Sequence, residues 1–175
     1  LPIHTGGFTN NFSYKGFDLS IFFQWSYGND VINYNRAKLE DLRGQHTNQL
    51  ASAMNHWTPR VDNGDGTYTE GNYTNYLCAV NRNLTNLNTS RVVEDASFLR
   101  LKNVQLGYNF PVKLIKRIGI SSLRLYVSGQ NLWTWTKYTG YDPEVSTRNS
   151  ALTRGFDYSA YPKTTSYTFG IKLGL

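Results

Sequence analysis

A single cysteine, Cys78, stands among 175 residues, so no disulfide closes within the chain. It lies in a polar stretch and takes no role. No run of about 18 apolar residues occurs and mean hydropathy is -0.49, which excludes a membrane-spanning helix. A transmembrane barrel stays open, because strands with one polar face average to near neutrality. The three histidines, His4, His46 and His56, lack close spacing and a partner cysteine, so no metal site is indicated. No Gly-Xaa-Ser-Xaa-Gly elbow and no carboxylate pair in a catalytic frame occurs, which leaves an enzyme without acid, base or nucleophile. No cofactor is expected. The net charge of +6 is dispersed, with Lys113, Lys116 and Arg117 as the one tight basic group, and no nucleic-acid motif accompanies it. A nucleic-acid partner is not expected either.

What the chain has is alternation. In the last nine residues Tyr167, Phe169, Ile171, Leu173 and Leu175 alternate with Thr168, Gly170, Lys172 and Gly174, so a strand there has one apolar face and one small or polar face. Phe17, Leu19, Ile21, Phe23, Trp25 and Tyr27 repeat the pattern against Asp18, Ser20, Gln24 and Ser26, with Phe22 the one breach. Leu123, Leu125, Val127, Gly129, Asn131, Trp133 and Trp135 oppose Arg124, Tyr126, Ser128, Gln130 and Thr134. Val104, Leu106, Tyr108 and Phe110 oppose Asn103, Gln105, Gly107 and Asn109, and Phe8, Phe12 and Tyr14 complete the set. The pattern predicts five strands, over 8–14, 17–27, 97–110, 121–136 and 164–175, in an all-β antiparallel up-and-down sheet. Eleven residues at about 3.3 Å each, tilted by about 45°, cross the apolar band of about 25 Å that an outer membrane presents. Aromatics reach 15% of the chain and gather near strand ends, where amphipathic rings favour the headgroup level.

On this reading Phe17, Leu19, Ile21, Phe23, Trp25, Tyr27, Leu106, Tyr108, Leu125, Val127, Trp133, Phe169, Ile171 and Leu173 face lipid, while Gln24, Gln105, Arg124, Gln130 and Lys172 face a lumen. Connections alternate short and long: Lys15-Gly16 as a tight hairpin and 111–120 as a single amphipathic turn with Leu114, Ile115 and Ile118 on one side, against long polar stretches 28–96 and 137–163. The long ones fall on one face, taken as extracellular. Val31 to Leu42 reads as a helix, with Glu40 near Arg43. Five strands close no barrel, since the smallest have about eight, so the chain is expected to be a piece of a larger one whose first strand lies upstream of Leu1.

Asp62 to Thr67 alternates oxygen-bearing residues with glycine, as calcium loops do, but lacks the full ligand set and reads as an Asp-Gly turn between two loop strands. The Asn-Xaa-Ser/Thr triplets at Asn11, Asn72, Asn83 and Asn88 read as chance matches. Tyr141-Asp-Pro-Glu144 reads as a turn with an exposed glutamate. Trp57, Tyr68, Tyr73, Tyr76, Tyr138 and Tyr141 place aromatic rings in the long connections, where they suit a sugar or peptide ligand or a partner surface.

Four segments carry a family resemblance: Asn10 to Ser20 (NNFSYKGFDLS), Glu94 to Pro111 (EDASFLRLKNVQLGYNFP), Leu125 to Leu132 (LYVSGQNL) and Tyr138 to Val145 (YTGYDPEV). In order and spacing they resemble the closing segments of the SusC/RagA family of TonB-linked outer-membrane transporters. The resemblance implies part of a plugged barrel of about 22 strands that imports oligosaccharides or peptides beneath a SusD-like surface lipoprotein. It also implies contact with the TonB complex through a part of the protein absent here. Thr168, Gly170, Leu173 and Leu175 resemble the C-terminal signal read by the barrel assembly machinery, with Leu175 standing where such signals end in Phe. The competing class is a soluble or surface-attached β-sandwich that binds carbohydrate or acts as an adhesin.

Overall fold

The computed structural model describes residues 1–41, 48–73, 89–145, 147 and 155–175. Its strands are β1 His4–Tyr14, β2 Phe17–Tyr27, β3 Asp30–Asn33, β4 Val61–Asp62, β5 Tyr68–Thr69, β6 Val93–Asp95, β7 Phe98–Asn109, β8 Ser122–Thr136, β9 Phe156–Asp157 and β10 Ser166–Gly174. Its α-helices are α1 Tyr34–Leu39 and α2 Val112–Ile115. The chain divides into two compact units, residues 1–30, 95–145 and 161–175 in one and residues 31–94 and 146–160 in the other.

The first unit is one antiparallel sheet in the order β1-β2-β7-β8-β10, each strand beside the next long strand of the chain. This is the up-and-down order that single-loop connections favour. β1 and β2 pair from Tyr14↔Phe17 to His4↔Tyr27, joined by Lys15 and Gly16 at φ 45° and 89°. Positive φ at both central residues matches the right-handed twist of the flanking strands, which is why a two-residue loop suffices. β1 begins four residues earlier than alternation indicates. Gly6 and Gly7 hide the pattern there, since their place on the two faces is filled by the Trp25 and Phe22 rings lying over them. Phe22, the breach in β2, thus packs across Gly7 on the polar side.

Strict alternation fails once in β7, and the failure keeps the faces in register. Ile21 pairs with Val104 but Phe23 pairs with Leu101, so Lys102 is an extra residue relative to β2. This β-bulge brings Leu99 and Leu101 onto the face of Leu106 and Tyr108, opposite Trp135 and Trp133, and turns Phe98 and Arg100 to the other. β8 answers with its own extra residue at Asn131, whose φ is 50°. Between β7 and β8 the chain makes α2, then a 3₁₀ turn Lys116–Ile118 closed by Gly119 at φ 77°. Ile115 is buried there, whereas Leu114, expected on the same side of the turn, is 67% exposed.

The sandwich alternative fails on this layout. The five long strands form one sheet, and the buried hydrophobic residues, Val31, Ala37, Ala53, Val92, Ala96, Phe98, Ile115 and Tyr138 among the described residues, include none of the alternating apolar set.

The second unit begins differently from the helix predicted over 31–42. Val31 and Ile32 are β-branched and run as part of β3, with Ile32 opposite Phe156 in parallel pairing with β9. The Asn33 side chain then accepts the Arg36 backbone N–H at 3.0 Å and starts α1. Leu42 and Arg43 lie outside the described residues. Glu40, 4% exposed, pairs with Arg36 and Arg91 and accepts from Ser52 at 2.7 Å. Burial opposes its charge, and those donors outweigh it, holding its carboxyl below the ordinary value.

Candidate functional site

The first unit presents two chemically distinct sheet faces. On one, Leu19 pairs with Leu106, Leu106 with Val127 and Val127 with Phe169, a continuous apolar row across four strands. Phe169, Ile171 and Trp133 are 81%, 72% and 61% exposed. Leu19, Ile21, Phe23, Trp25, Tyr108 and Val127 are half-buried by neighbours in the same sheet, and Phe17, Tyr27, Leu106, Leu125 and Leu173 are exposed. Rings mark both strand ends of this face. Phe17, Tyr108 and Phe110 meet at 4.5 and 4.9 Å beside the short connections. Trp25, Tyr27, Trp133 and Trp135 lie at the opposite ends of their strands, where Trp25 Nε1 donates to His4 Nδ1 at 3.2 Å.

The other face is polar and built around missing side chains. Asp18 on β2 and Arg124 on β8 form an ion pair although β7 runs between them. Gly107 makes this possible: a Cβ there would sit 2.7 Å from both Arg124 Nη2 and Asp18 Oδ2. Asn109 donates to the same carboxylate at 3.0 Å. Gly170 pairs with Tyr126, and the Tyr126 ring fills the space that a Cβ on Gly170 would take. Gly170 therefore has a packing role as well as its place in the terminal pattern with Thr168, Leu173 and Leu175. Gln105, Gln130 and Lys172 lie on this face in register with Ser128, Asn103 and Arg124.

At the far end of the same face stands a constellation that periodicity concealed. Arg100, 2% exposed, donates from Nη2 to Asp142 at 2.6 Å, from Nη1 to Glu144 at 3.1 Å and from Nε to Thr134 at 2.9 Å. Asp142, 3% exposed, also accepts the backbone N–H groups of Glu144 at 2.9 Å and Lys163 at 3.1 Å. Burial opposes its ionisation, and these donors with Arg100 overcome it, so its carboxyl stays below the ordinary range. Glu144 further pairs with the Lys163 ammonium and accepts from Gln24 at 3.4 Å. The Asp-Pro-Glu stretch is the turn expected, but its glutamate is half-buried in this network rather than exposed. It ties both ends of the connection 137–163 to the polar sheet face. Arg100 reaches that face only through the bulge at Lys102, so strict alternation could not have found it; the clue was a lone Arg inside an apolar strand and acids beyond the next one.

The aromatic set of the long connections divides. In the second unit the Trp57 and Tyr73 rings meet edge-on at 6.3 Å, Arg60 stacks over Tyr68 at 3.9 Å, and the Tyr73 hydroxyl accepts the Arg60 N–H at 3.0 Å. Tyr68 and Tyr73 are 51% and 57% exposed. In the first unit Tyr141 is 80% exposed, whereas Tyr138 is 6% exposed and lies against Gly140, so its ring is not offered to a ligand. Tyr76 lies outside the described residues, as do Cys78 and His46. The 62–67 stretch is the turn between β4 and β5, with Asp62 and Asp65 accepting the N–H groups of Gly64 and Thr67 at 2.9 and 2.8 Å. No cluster of three metal-ligating side chains occurs among the described residues.

No family model matches the chain. TonB-dependent receptor P3 of Formosa agariphila is 38% identical over 177 residues, which cover 98% of this chain and 16% of that protein. TonB-dependent receptor SusC of Bacteroides thetaiotaomicron is 34% identical over 85 residues, 46% of this chain and 8% of that one. The structure of the RagAB peptide importer in its open-open state matches with a TM-score of 0.76 and 31% identity, over 100% of this chain and 17% of that one. The chain thus spans about a sixth of the length of this curated relative and of this solved structure. An open antiparallel sheet with one apolar and one polar face, and relatives of this kind along nearly all of it, identify the chain as a barrel segment of the SusC/RagA family of TonB-dependent receptors of the outer membrane.

Proposed function

We propose that residues 1–175 supply wall and outward connections to an outer-membrane importer that takes up oligosaccharides or peptides by TonB-coupled transport. The observation that carries the reading is the two-sidedness of the sheet: an apolar row from Leu19 to Phe169 suited to lipid, and a polar face with Gln24, Gln105, Arg124, Gln130 and Lys172 suited to a hydrated interior. Connections 28–96 and 137–163 leave the sheet at the same strand ends and are assigned to the cell exterior, where they would meet a SusD-like lipoprotein or the solute. The TonB complex would act through another part of the protein, and the terminal pattern Thr168, Gly170, Leu173, Leu175 would be read during barrel assembly. No chemical step is assigned, in keeping with relatives that are receptors and importers. The test is deletion of the gene for the intact transporter, with growth measured on defined oligosaccharide and peptide fractions too large for porins. Loss of growth on one class, restored by the intact gene, supports the role. Unchanged growth on every fraction that the parent strain uses overturns it.

A further inference from the structure

We propose that the turn between β7 and β8 binds a bilayer surface rich in anionic phospholipid and seats this end of the barrel on it; the proposal rests on the lipid-facing reading of the apolar sheet face. From Ala96 to Tyr141 the chain carries seven basic residues and no acidic one. Arg100 and Arg124 are matched by carboxylates from elsewhere in the chain. Lys113, Lys116 and Arg117 are exposed, and none of the ion pairs among the described residues involves them. Beside them Val112 and Leu114 are 56% and 67% exposed, while Ile115, 4% exposed, holds the turn down.

Both flanks of the turn are tied in place. Phe110 N–H donates to Leu123 at 3.0 Å, and Ser121 N–H to Gly174 at 2.9 Å. The Tyr108 and Phe110 rings, 4.9 Å apart, lead from the apolar sheet face into the turn. Val112 and Leu114 thus present apolar surface beside three cations. At a bilayer surface the apolar pair enters the headgroup boundary and the cations meet lipid phosphates. Lys15, exposed in the β1–β2 hairpin at the same end of the sheet, adds a fourth cation.

The experiment reconstitutes the intact transporter in phosphatidylcholine vesicles containing trace spin-labelled phosphatidylglycerol or spin-labelled phosphatidylethanolamine, and measures the motionally restricted lipid. Expected is an association constant for phosphatidylglycerol roughly fivefold above that for phosphatidylethanolamine at low salt, falling towards equality at high salt. The triple substitution Lys113→Gln, Lys116→Gln, Arg117→Gln should remove most of the preference, leaving the small share of Lys15, and Val112→Ser with Leu114→Ser should weaken both lipids. Equal association of the two lipids with the wild type, or an undiminished preference in the triple variant, overturns the proposal. So does displacement of phosphatidylglycerol by inorganic phosphate beyond that by chloride at equal ionic strength, which would mark a site for free phosphate. If the triple variant loses heat-modifiable gel mobility, the salt and phosphate arms on the wild type decide. Failure of the intact protein to enter vesicles at all sinks the wall reading itself, an outcome separate from insertion without lipid preference.

Discussion

Arg100 is the residue on which the connection 137–163 depends. Its three hydrogen-bond partners are Thr134, Asp142 and Glu144, and it and Asp142 are nearly inaccessible to solvent. Arg100→Met leaves Asp142 buried without its cation, a loss of about 3–5 kcal/mol in the attachment of the connection. Limited proteolysis of the intact transporter should then cut within 137–163 far faster than in the wild type, and equal cutting rates would refute the anchor. The pH dependence follows from the direction of the Asp142 shift. A carboxyl held below its ordinary value of about 3.9 contributes its full stabilisation above that value and loses it as pH falls through the lowered one. Protection of the connection should stay level from neutral pH down to about 4 and decline only below it; a decline near pH 6 would implicate another group. Gly107 offers a milder case. Gly107→Val pushes a branched side chain between Asp18 and Arg124, and because that pair is partly solvated the cost should be about 1 kcal/mol in thermal unfolding of the intact barrel.

At the scale of the strand, the sidedness is testable by one charge placed one residue apart. Phe23→Arg or Val127→Arg puts a cation on the apolar face and should cost about 2–4 kcal/mol at the membrane midplane, whereas Gln24→Arg or Ser128→Arg should be nearly neutral. The fraction of intact transporter with heat-modifiable mobility reports the difference, and equal loss on both faces would count against lipid contact. The strands themselves were legible where side chains alternate, strictly in β10 and with the single breach of Phe22 in β2, because a period of two is the direct imprint of the pleat. They were less legible where the imprint is absent or interrupted. Gly6 and Gly7 carry no side chain to alternate, and Lys102 shifts the count by one, so neither the start of β1 nor the face of Arg100 follows from counting. The helix expected over 31–42 starts late for a local reason: Val31 and Ile32 belong to β3, and Asn33 caps a helix that runs from Tyr34 to Leu39.

On the scale of the whole molecule, β1 and β10 stand at the two edges of the sheet. Strand edges in a bilayer leave N–H and C=O groups that lipid cannot satisfy, so in the intact transporter both must pair with strands outside these residues. Hydrogen exchange of the intact protein should show the outward-directed amides of β10 protected as strongly as those of β7, while the same segment expressed alone should lose that protection. Rapid exchange along β10 in the intact barrel would contradict closure there. Alternation and aromatic placement were enough, by themselves, to indicate strands with one lipid-suited face, because membrane contact imposes its demand residue by residue along each strand, and the four motif segments added the resemblance to this receptor family. Only the tertiary structure placed Arg100 against Asp142 and Glu144, carried Asp18 to Arg124 across Gly107, buried Tyr138 and left Leu114 exposed. Those outcomes depend on a one-residue bulge and on which neighbours meet across strands far apart in sequence, and such contacts are decided by register and packing, which no local period encodes.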